Sequence, residues 1–375
     1  MARNATNKFL HKAKKSKSDE FYTQFSDIQK EVEAYLEYNP DVFRDKVVYC
    51  NCDDPFESNF FRYFVLNFNR IGLKQLITTS FKPSPVANTQ LELFGDYENE
   101  NPTKSKDLPK ITANKFIINE VGGIDDDSEF SLKDVALQLK ENKQNEWTPL
   151  EGDGDFRSEE SIDLLKQSDI VVTNPPFSLF REYIKQLVDY DKKFLIISNI
   201  NAITYKEVFP LIKENKIWLG TGMGRWISGF IVPASYELYG TEARIDEDGN
   251  RIVSTNNCLW FTNLDHGKRH QPLPLMTMSD NIKFSSHKNI KGNGYKKYDN
   301  FDAIEVPYTD AIPSDYDGVM GVPITFLDKY NPDQFDIVGC SYDYGRPDGW
   351  DKNINMSVSV EGENVYKRIL IKHKK

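Results

Sequence analysis

The clearest architectural signal in the chain is the stretch Asp169-Ile170-Val171-Val172-Thr173-Asn174-Pro175-Pro176-Phe177. Its first half is rich in β-branched residues and stops at Asn-Pro, which predicts a buried strand followed by a turn. Similar strands are predicted at 47–52, 75–79, 116–119, 194–198, 217–219 and 258–262, and helices at 27–38, 59–68, 180–190 and 205–215. Strands that alternate with helices predict an α/β protein with a mostly parallel, doubly wound sheet.

Two loops follow strong strands of this pattern. One is Asp53-Asp54-Pro55, and the other is Asn174 to Phe177. Because ligands bind at the carboxyl ends of the strands in such sheets, both loops are predicted to lie at a ligand site.

The Asn-Pro-Pro-Phe loop has side chains suited to an aromatic amine. Such an amine delocalises its lone pair into the ring, so it attacks a methyl sulfonium only when acceptors hold its N–H bonds. The Asn174 side-chain oxygen can accept one N–H and the Pro175 carbonyl the other, while the prolines stiffen the loop. The Phe177 ring can stack on a planar base, worth about 1–3 kcal/mol. The alternative is a plain turn, since Asn-Pro often begins one; its position after a hydrophobic strand favours the site. The catalytic candidates are Asn174, Pro175, Pro176 and Phe177.

Composition narrows the class of protein. The 375 residues allow a large catalytic core and a smaller second domain. The N-terminus lacks the apolar segment of a secretory signal, and no apolar run is long enough to cross a membrane. The four cysteines are scattered and form no CxxC, so neither a metal site nor a disulfide framework is expected, and a reducing cytoplasm fits.

Charge is distributed unevenly. The net charge is −10, yet residues 1–18 carry only positive charge and residues 367–375 are also basic. A basic end is either a solvated tail or a contact to a polyanion, and charge alone favours neither. The predicted DNA contacts in the first segment are Lys12, Lys14, Lys15 and Lys17.

Three segments together resemble a known family. Residues 174–177 match the (D/N/S)PP(Y/F) motif of amino-methyltransferases that act on nucleic-acid bases and on some glutamines. Residues 19–24 resemble the N-terminal motif of γ-type adenine methyltransferases, and residues 152–156 resemble their third motif. More closely, the chain is similar to the EcoRI-type adenine methyltransferases over residues 1–24, 46–64, 150–220 and 257–340.

The resemblance implies a fold and an activity. The fold would be a Rossmann-like class I methyltransferase sheet with a C-terminal target-recognition region. The activity would be site-specific methylation of the adenine N6 atom in double-stranded DNA, on a flipped-out base, with S-adenosyl-L-methionine as the methyl donor. Such an enzyme would be the modification enzyme of a restriction-modification system or an orphan relative. We expect a cytoplasmic monomer without a metal.

The resemblance also assigns roles to residues. Asp155 would accept a hydrogen bond from the amino group of the cofactor adenine, and Phe156 would stack on the adenine ring. The full set of implied cofactor-binding residues is Phe21, Tyr22, Thr23, Asp53, Asp54, Pro55, Asp155, Phe156 and Asn174. Lys268 and Arg269 are candidate phosphate contacts, although a solvated basic turn is an equal alternative.

The sequence also predicts how the chain divides into three segments. Residues 1–18 form a flexible basic arm, residues 19–264 the cofactor-binding catalytic domain, and residues 265–375 the target-recognition region. Excursions are expected within the catalytic domain at about 82–149 and 221–256, and Asp248-Gly249 predicts a hairpin in the second.

Two features depart from the family pattern. Glu57 to Phe60 replace the glycines that usually follow the Asp-Pro-Phe cofactor loop. Thr78-Thr79-Ser80 lacks the acidic residue expected to hold the cofactor ribose, so Asp53, Asp54 or a more distant carboxylate would substitute.

Other functions fit part of the pattern. RNA and glutamine methyltransferases use similar Asn-Pro-Pro loops, and a non-catalytic DNA-binding relative would keep the fold. A nuclease is disfavoured, because the Glu-x-Lys triplets at 141–143 and 214–216 lie in charge-rich stretches typical of solvated surface.

Overall fold

The computed structural model describes residues 22–52, 58–80, 113–122, 142–222, 227–232, 243–247, 249–254, 257–342, 344–351 and 358–374. The strands are β1 (Tyr22–Thr23), β2 (Val47–Cys50), β3 (Gln75–Thr79), β4 (Asn114–Ile118), β5 (Glu146–Pro149), β6 (Ile170–Thr173), β7 (Lys193–Asn199), β8 (Trp218–Leu219), β9 (Phe230–Val232), β10 (Ala243–Ile245), β11 (Arg251–Val253), β12 (Cys258–Thr262), β13 (Ala303–Glu305), β14 (Val319–Pro323), β15 (Phe335–Cys340), β16 (Ser359–Val360), β17 (Glu363–Asn364) and β18 (Arg368–His373). The helices are α1 (Phe25–Tyr38), α2 (Asn59–Leu66), α3 (Phe68–Ile71), α4 (Glu159–Gln167), α5 (Phe180–Asp189), α6 (Phe209–Lys213) and α7 (Met278–Phe284).

The chain divides into two compact units. The first comprises Met1–Asn199 and Gly224–Leu264, and the second Ile200–Met223 and Asp265–Lys375. Among the described residues, no helix has the length and apolar character needed to span a membrane. All four cysteines are free thiols.

A mixed sheet forms the centre of the first unit. Seven of its strands lie in the order β5-β4-β3-β2-β6-β7-β12. The four inner strands β3, β2, β6 and β7 are parallel, as the alternating pattern predicts. Each remaining strand runs antiparallel to its inner neighbour. The protein is therefore α/β with a parallel centre and antiparallel edges.

The inner strands follow from their side chains. Every residue of β2 and of β6 is buried, and seven of the eight are apolar. Parallel strands covered on both faces favour such continuous β-branched runs. Helices on the same unit begin at side-chain caps: Ser58 accepts from the amides of Phe60 and Phe61, and Ser158 accepts from that of Ser161.

The range 82–149 is not wholly an excursion. Its described part contributes β4 and β5 to the central sheet, with Phe116 paired to Trp147 and their rings stacked at 5.3 Å. The sequence indicated at most a strand at 116–119, because β5 is largely exposed and lacks an apolar alternation. The boundary prediction for this excursion was therefore wrong.

A second sheet in the first unit has the order β1-β9-β11-β10. The hairpin predicted around Asp248-Gly249 is confirmed, since β10 and β11 pair antiparallel on either side of it. The opposite edge is β1, where Tyr22 pairs with Ile231 and Thr23 pairs with Phe230.

The second unit has its own sheet, in the order β13-β14-β18-β15. Strands β13 and β14 are parallel, and β18 pairs antiparallel with both β14 and β15. Tyr298, Trp350 and Leu370 belong to a small core in this unit. The part of this unit beyond residue 265 is therefore rich in β-structure.

Candidate active site

The Asn-Pro-Pro-Phe loop leaves the sheet at its middle. Asn174 directly follows β6, which lies between β2 and β7. Phe177 begins a single 3-10 turn, and α5 starts at Phe180. Asn174 and Phe177 are half-buried and Pro175 is buried, so the loop is fixed against the core while keeping some exposure.

The strand order places this loop at a switch point. The chain passes from β2 outward to β3 on one side, whereas β6 is followed by β7 on the other side. Crevices form outside the carboxyl ends of the strands at such a reversal, and ligands bind there. Asn51, which follows β2, and Asn174, which follows β6, lie on the two sides of this point.

The N-terminal motif lies beside the loop. The Phe177 ring contacts the Phe230 ring edge-on, with centroids 6.3 Å apart. Phe230 belongs to β9 and pairs with Thr23 of β1. The backbone carbonyl of Thr23 accepts a hydrogen bond of 2.8 Å from the Asn59 side chain. One chain of contacts thus links a predicted cofactor residue to a predicted catalytic residue.

A buried polar cluster holds β9 in this position. The Asp27 carboxylate accepts hydrogen bonds from the amide and the hydroxyl of Ser228, at 2.8 and 3.0 Å. The Gln24 side chain donates to the Ser228 hydroxyl and to the Gly229 carbonyl. Burial raises the pKa of Asp27, and its bonds to Ser228 oppose that rise. Ser228 and Gly229 directly precede Phe230 in the chain. Their hydrogen bonds to Asp27 and Gln24 therefore fix the backbone from which the Phe230 ring extends.

Asp155 follows a tight turn at Gly154 that lies against the end of β3. Gly154 has a φ of +79°, and a Cβ added there would lie 2.0 Å from the Ser80 carbonyl oxygen. Only glycine fits so close to the backbone. The loop carrying Asp155 is therefore placed at the carboxyl end of β3, beside the switch point.

The Asp155 carboxylate is paired with Arg157. It accepts from the Arg157 amide, Nε and Nη2, at 2.8, 2.9 and 2.6 Å. Arg157 lowers the pKa of Asp155, so the carboxylate is ionised at neutral pH. Because a carboxylate offers about four lone-pair sites, the three donors leave room for one more N–H.

The Phe156 side chain is buried rather than exposed. It is 4% exposed, and its ring contacts the Tyr183 ring edge-on at 5.1 Å. The Tyr183 hydroxyl donates to the Asn51 side chain, and Gln186 donates to the Phe156 carbonyl. Asn51 thus connects the end of β2 to α5 and to Phe156.

Sequence reasoning missed Asn51. The signal was present, because a polar residue ends the apolar run of β2. Its burial at 2% exposure and its Tyr183 partner appear only in three dimensions.

Several predicted site residues cannot be placed. Phe21, Asp53, Asp54 and Pro55 lie outside the described residues, as do Lys12, Lys14, Lys15 and Lys17.

The two predicted phosphate contacts of the second unit are engaged internally. The Arg269 side chain is 8% exposed, donates to Asp265 and Asn215, and lies 3.5 Å from the Trp218 ring centroid. Lys268 donates to the Thr221 carbonyl and pairs with Asp328 at 2.5 Å. A phosphate would have to displace these partners, so the geometry contradicts the prediction for Arg269 and disfavours it for Lys268.

A mixed α/β sheet with an Asn-Pro-Pro-Phe loop at a central strand end is the arrangement of a methyltransferase, and comparison with known proteins agrees. The family model "Adenine-specific methyltransferase EcoRI" matches residues 9–374. The chain is 52% identical to the type II methyltransferase M.EcoRI of Escherichia coli, covering 100% of this chain and 99% of that protein. It is 34% identical to the type II methyltransferase M.MpnI of Mycoplasma pneumoniae, covering 98% of each.

A relative from Mycoplasma genitalium, the type II methyltransferase M.MgeORF184P, is also 34% identical, over 97% of this chain and 98% of that protein. No solved structure matches. The chain belongs to the EcoRI family of adenine-specific methyltransferases.

Proposed function

We propose that this protein transfers a methyl group from S-adenosylmethionine to the N6 atom of an adenine within a specific sequence of double-stranded DNA. The observation that carries the proposal is the position of Asn174 to Phe177 at the sheet's switch point, next to the β1–β9 pair. The strand order β3-β2-β6-β7-β12, with β12 reversed, supports a Rossmann-like class I arrangement.

The loop would activate the amine by hydrogen bonding. The Asn174 side-chain oxygen and the Pro175 carbonyl each accept one N–H of the adenine amino group. Both acceptors draw the nitrogen lone pair out of the ring and direct it toward the methyl group. No residue need act as a nucleophile, because positioning and preorganised dipoles lower the barrier. S-adenosylmethionine supplies the electrophilic methyl group when bound.

Phe177 would hold the target base. Its ring is half-buried and contacts the Phe230 ring edge-on. A planar base would stack on the Phe177 ring. A base inside a duplex cannot reach this loop, so the adenine must rotate out of the helix before transfer.

The residues near β1 fit the cofactor. The Thr23 hydroxyl is buried and has no hydrogen-bond partner within the described residues. Buried polar atoms nearly always have partners in native proteins, so a polar ligand group at this position is expected. Asp155 would accept the amino group of the cofactor adenine through its remaining lone pair, and Phe156 and Asn51 would support that end of the site.

The second unit would read the DNA sequence, and residues 1–18 would add contacts to phosphate. We propose that the enzyme is a cytoplasmic monomer; its four free cysteines are in keeping with a reducing compartment.

Transfer of tritium from labelled cofactor tests the proposal. Duplex DNA, RNA and a protein mixture serve as acceptors in parallel. The proposal predicts label in DNA, recovered as N6-methyladenine after digestion. Asn174→Ala should abolish this label while cofactor affinity stays within a few fold, because Asn174 touches the target amine. Label in RNA or protein alone, or an Asn174→Ala variant above a tenth of wild-type turnover, would contradict it.

A further inference from the structure

Two tyrosines of the second unit are exposed beside two lysines. Tyr344 is 45% exposed and Tyr366 is 66% exposed. Lys213 at the end of α6 and Lys367 before β18 are exposed as well. We call Lys213, Tyr344, Tyr366 and Lys367 the tyrosine–lysine patch.

Packing around Tyr342 brings the patch together. The Tyr342 ring is 8% exposed and lies 6.1 Å from the Tyr344 ring and 6.2 Å from the Phe209 ring, between centroids. Lys367 Nζ lies 5.0 Å from the centroid of the same ring and 3.4 Å from the Thr204 hydroxyl. Tyr366 adjoins Lys367, and Phe209 belongs to α6 with Lys213.

Three cations of this region act on the Cys340 thiol. Burial raises the pKa of the Cys340 thiol to about 12, and the charges of Lys213, Arg346 and Lys367 oppose that rise. Across the described part of the chain, neither Lys213 nor Lys367 forms an ion pair with a carboxylate. Glu214, which follows Lys213, is instead paired with Lys216 at 2.7 Å. Positive charge therefore accumulates here in a protein of net charge −10.

We propose that the tyrosine–lysine patch is a DNA-contacting surface of the second unit. Lys213 and Lys367 would contact backbone phosphates, and Tyr344 and Tyr366 would pack on sugars or unstacked bases. Exposed aromatic rings together with exposed lysines match the mixed polyanionic and planar surface of nucleic acid. The inference rests on the proposed function, which supplies duplex DNA as the substrate.

Two arginines of this unit are less suited. Arg368 is next to Lys367, but its guanidinium is bound to Glu305 and both side chains are 12% exposed. Arg269 is buried against Trp218. The patch therefore provides exposed cations, whereas Arg269 and Arg368 are held by acidic partners inside the unit.

A double variant tests the phosphate contacts. DNA affinity is measured at several salt concentrations for wild type and for Lys213→Gln/Lys367→Gln. Two lost phosphate contacts should lower the slope of log affinity against log salt by about two. The matched control is Lys288→Gln/Lys291→Gln, which removes two exposed lysines from the same unit. Parallel lines for wild type and the patch variant, or an equal loss in the control, would overturn the proposal.

The tyrosines are tested separately. Tyr366→Ala should weaken DNA binding about tenfold, and Tyr366→Phe should retain it, because stacking needs the ring and not the hydroxyl. Unfolding midpoints equal to wild type establish that the variants fold. A loss seen with acidic protein or RNA but not with duplex DNA would assign the patch to another partner and refute the proposal. Methyl transfer to DNA by the wild type is scored in the same samples, so failure of the proposed function is distinguished from failure of the patch.

Discussion

At the scale of single residues, Phe177 has two separable tasks. It contributes apolar packing against Phe230 and the core, and in our proposal it also stacks on the target base. Phe177→Leu keeps much of the packing and removes the face, whereas Phe177→Tyr keeps both. We expect Phe177→Tyr to remain active and Phe177→Leu to lose about tenfold or more in kcat/KM, the scale of one lost stacking contact. Steady-state kinetics on duplex DNA measures this, and equal losses in both variants would reduce Phe177 to a packing residue.

Asp155 is expected to act on cofactor affinity. Asp155→Ala should weaken binding of S-adenosylmethionine by about 1–3 kcal/mol, as for a charge-assisted hydrogen bond. Titration calorimetry measures the affinity directly. The matched control is Glu182→Ala, because Glu182 also accepts from Arg157, at 3.0 Å, but lies outside the proposed contact. Unchanged affinity in Asp155→Ala, or an equal loss in Glu182→Ala, would remove Asp155 from the cofactor site.

At the scale of elements, the sequence predicted the buried strands well and the edges poorly. The strands β2, β3, β6, β7 and β12 were predicted within two residues, because their apolar composition follows from burial on both faces. The exposed edge strand β5 has no such pattern. The helix predicted at 205–215 shortens to α6 at Phe209–Lys213, since Pro210 cannot donate the backbone hydrogen bond that an earlier start requires.

The candidate site likewise has residues that the sequence indicates and residues that it does not. Asn174 to Phe177 were predicted as site residues because motif and strand end coincide in the sequence. The sequence did not indicate Asn51, Asp27 or Phe230. Each of them contacts a residue far away along the chain, at a separation of 132 positions for Asn51, 201 for Asp27 and about 50 for Phe230. Long-range contacts of this kind leave no local pattern.

The contact between β1, α1 and β9 gives a pH prediction. The pKa of Asp27 is raised in the folded protein above its ordinary value of 3.8. The native state therefore binds more protons than the unfolded state between these two pKa values, and this group's contribution to stability falls as pH rises through that interval. Asp27→Asn does not titrate, so its stability relative to wild type should increase from about pH 4 toward neutrality.

Urea unfolding at several pH values checks this. A pH-independent difference for Asp27→Asn would show that the folded protein leaves the ionisation of Asp27 unchanged.

At the scale of the whole molecule, both ends of the chain are expected to help hold DNA. Residues 2–17 lie outside the described residues and carry six cations and no acid: Arg3, Lys8, Lys12, Lys14, Lys15 and Lys17. Two or three phosphate contacts would make the salt slope of DNA binding fall by about two to three units on deletion, with little change in cofactor affinity. Salt titrations of full-length and truncated protein decide it. Parallel lines would exclude the segment from DNA binding, and loss of folding would assign it a structural role.

The central claim is methylation of adenine N6 in DNA by the loop at Asn174. Its most direct test is sequencing that detects modified bases in genomic DNA from a methylation-free host expressing either the wild type or Asn174→Ala, at equal protein levels. The account predicts N6-methyladenine at one recurrent sequence with the wild type and none with the variant. Modified cytosine instead of adenine, unmodified DNA with the wild type, or methyladenine that persists with Asn174→Ala would contradict it.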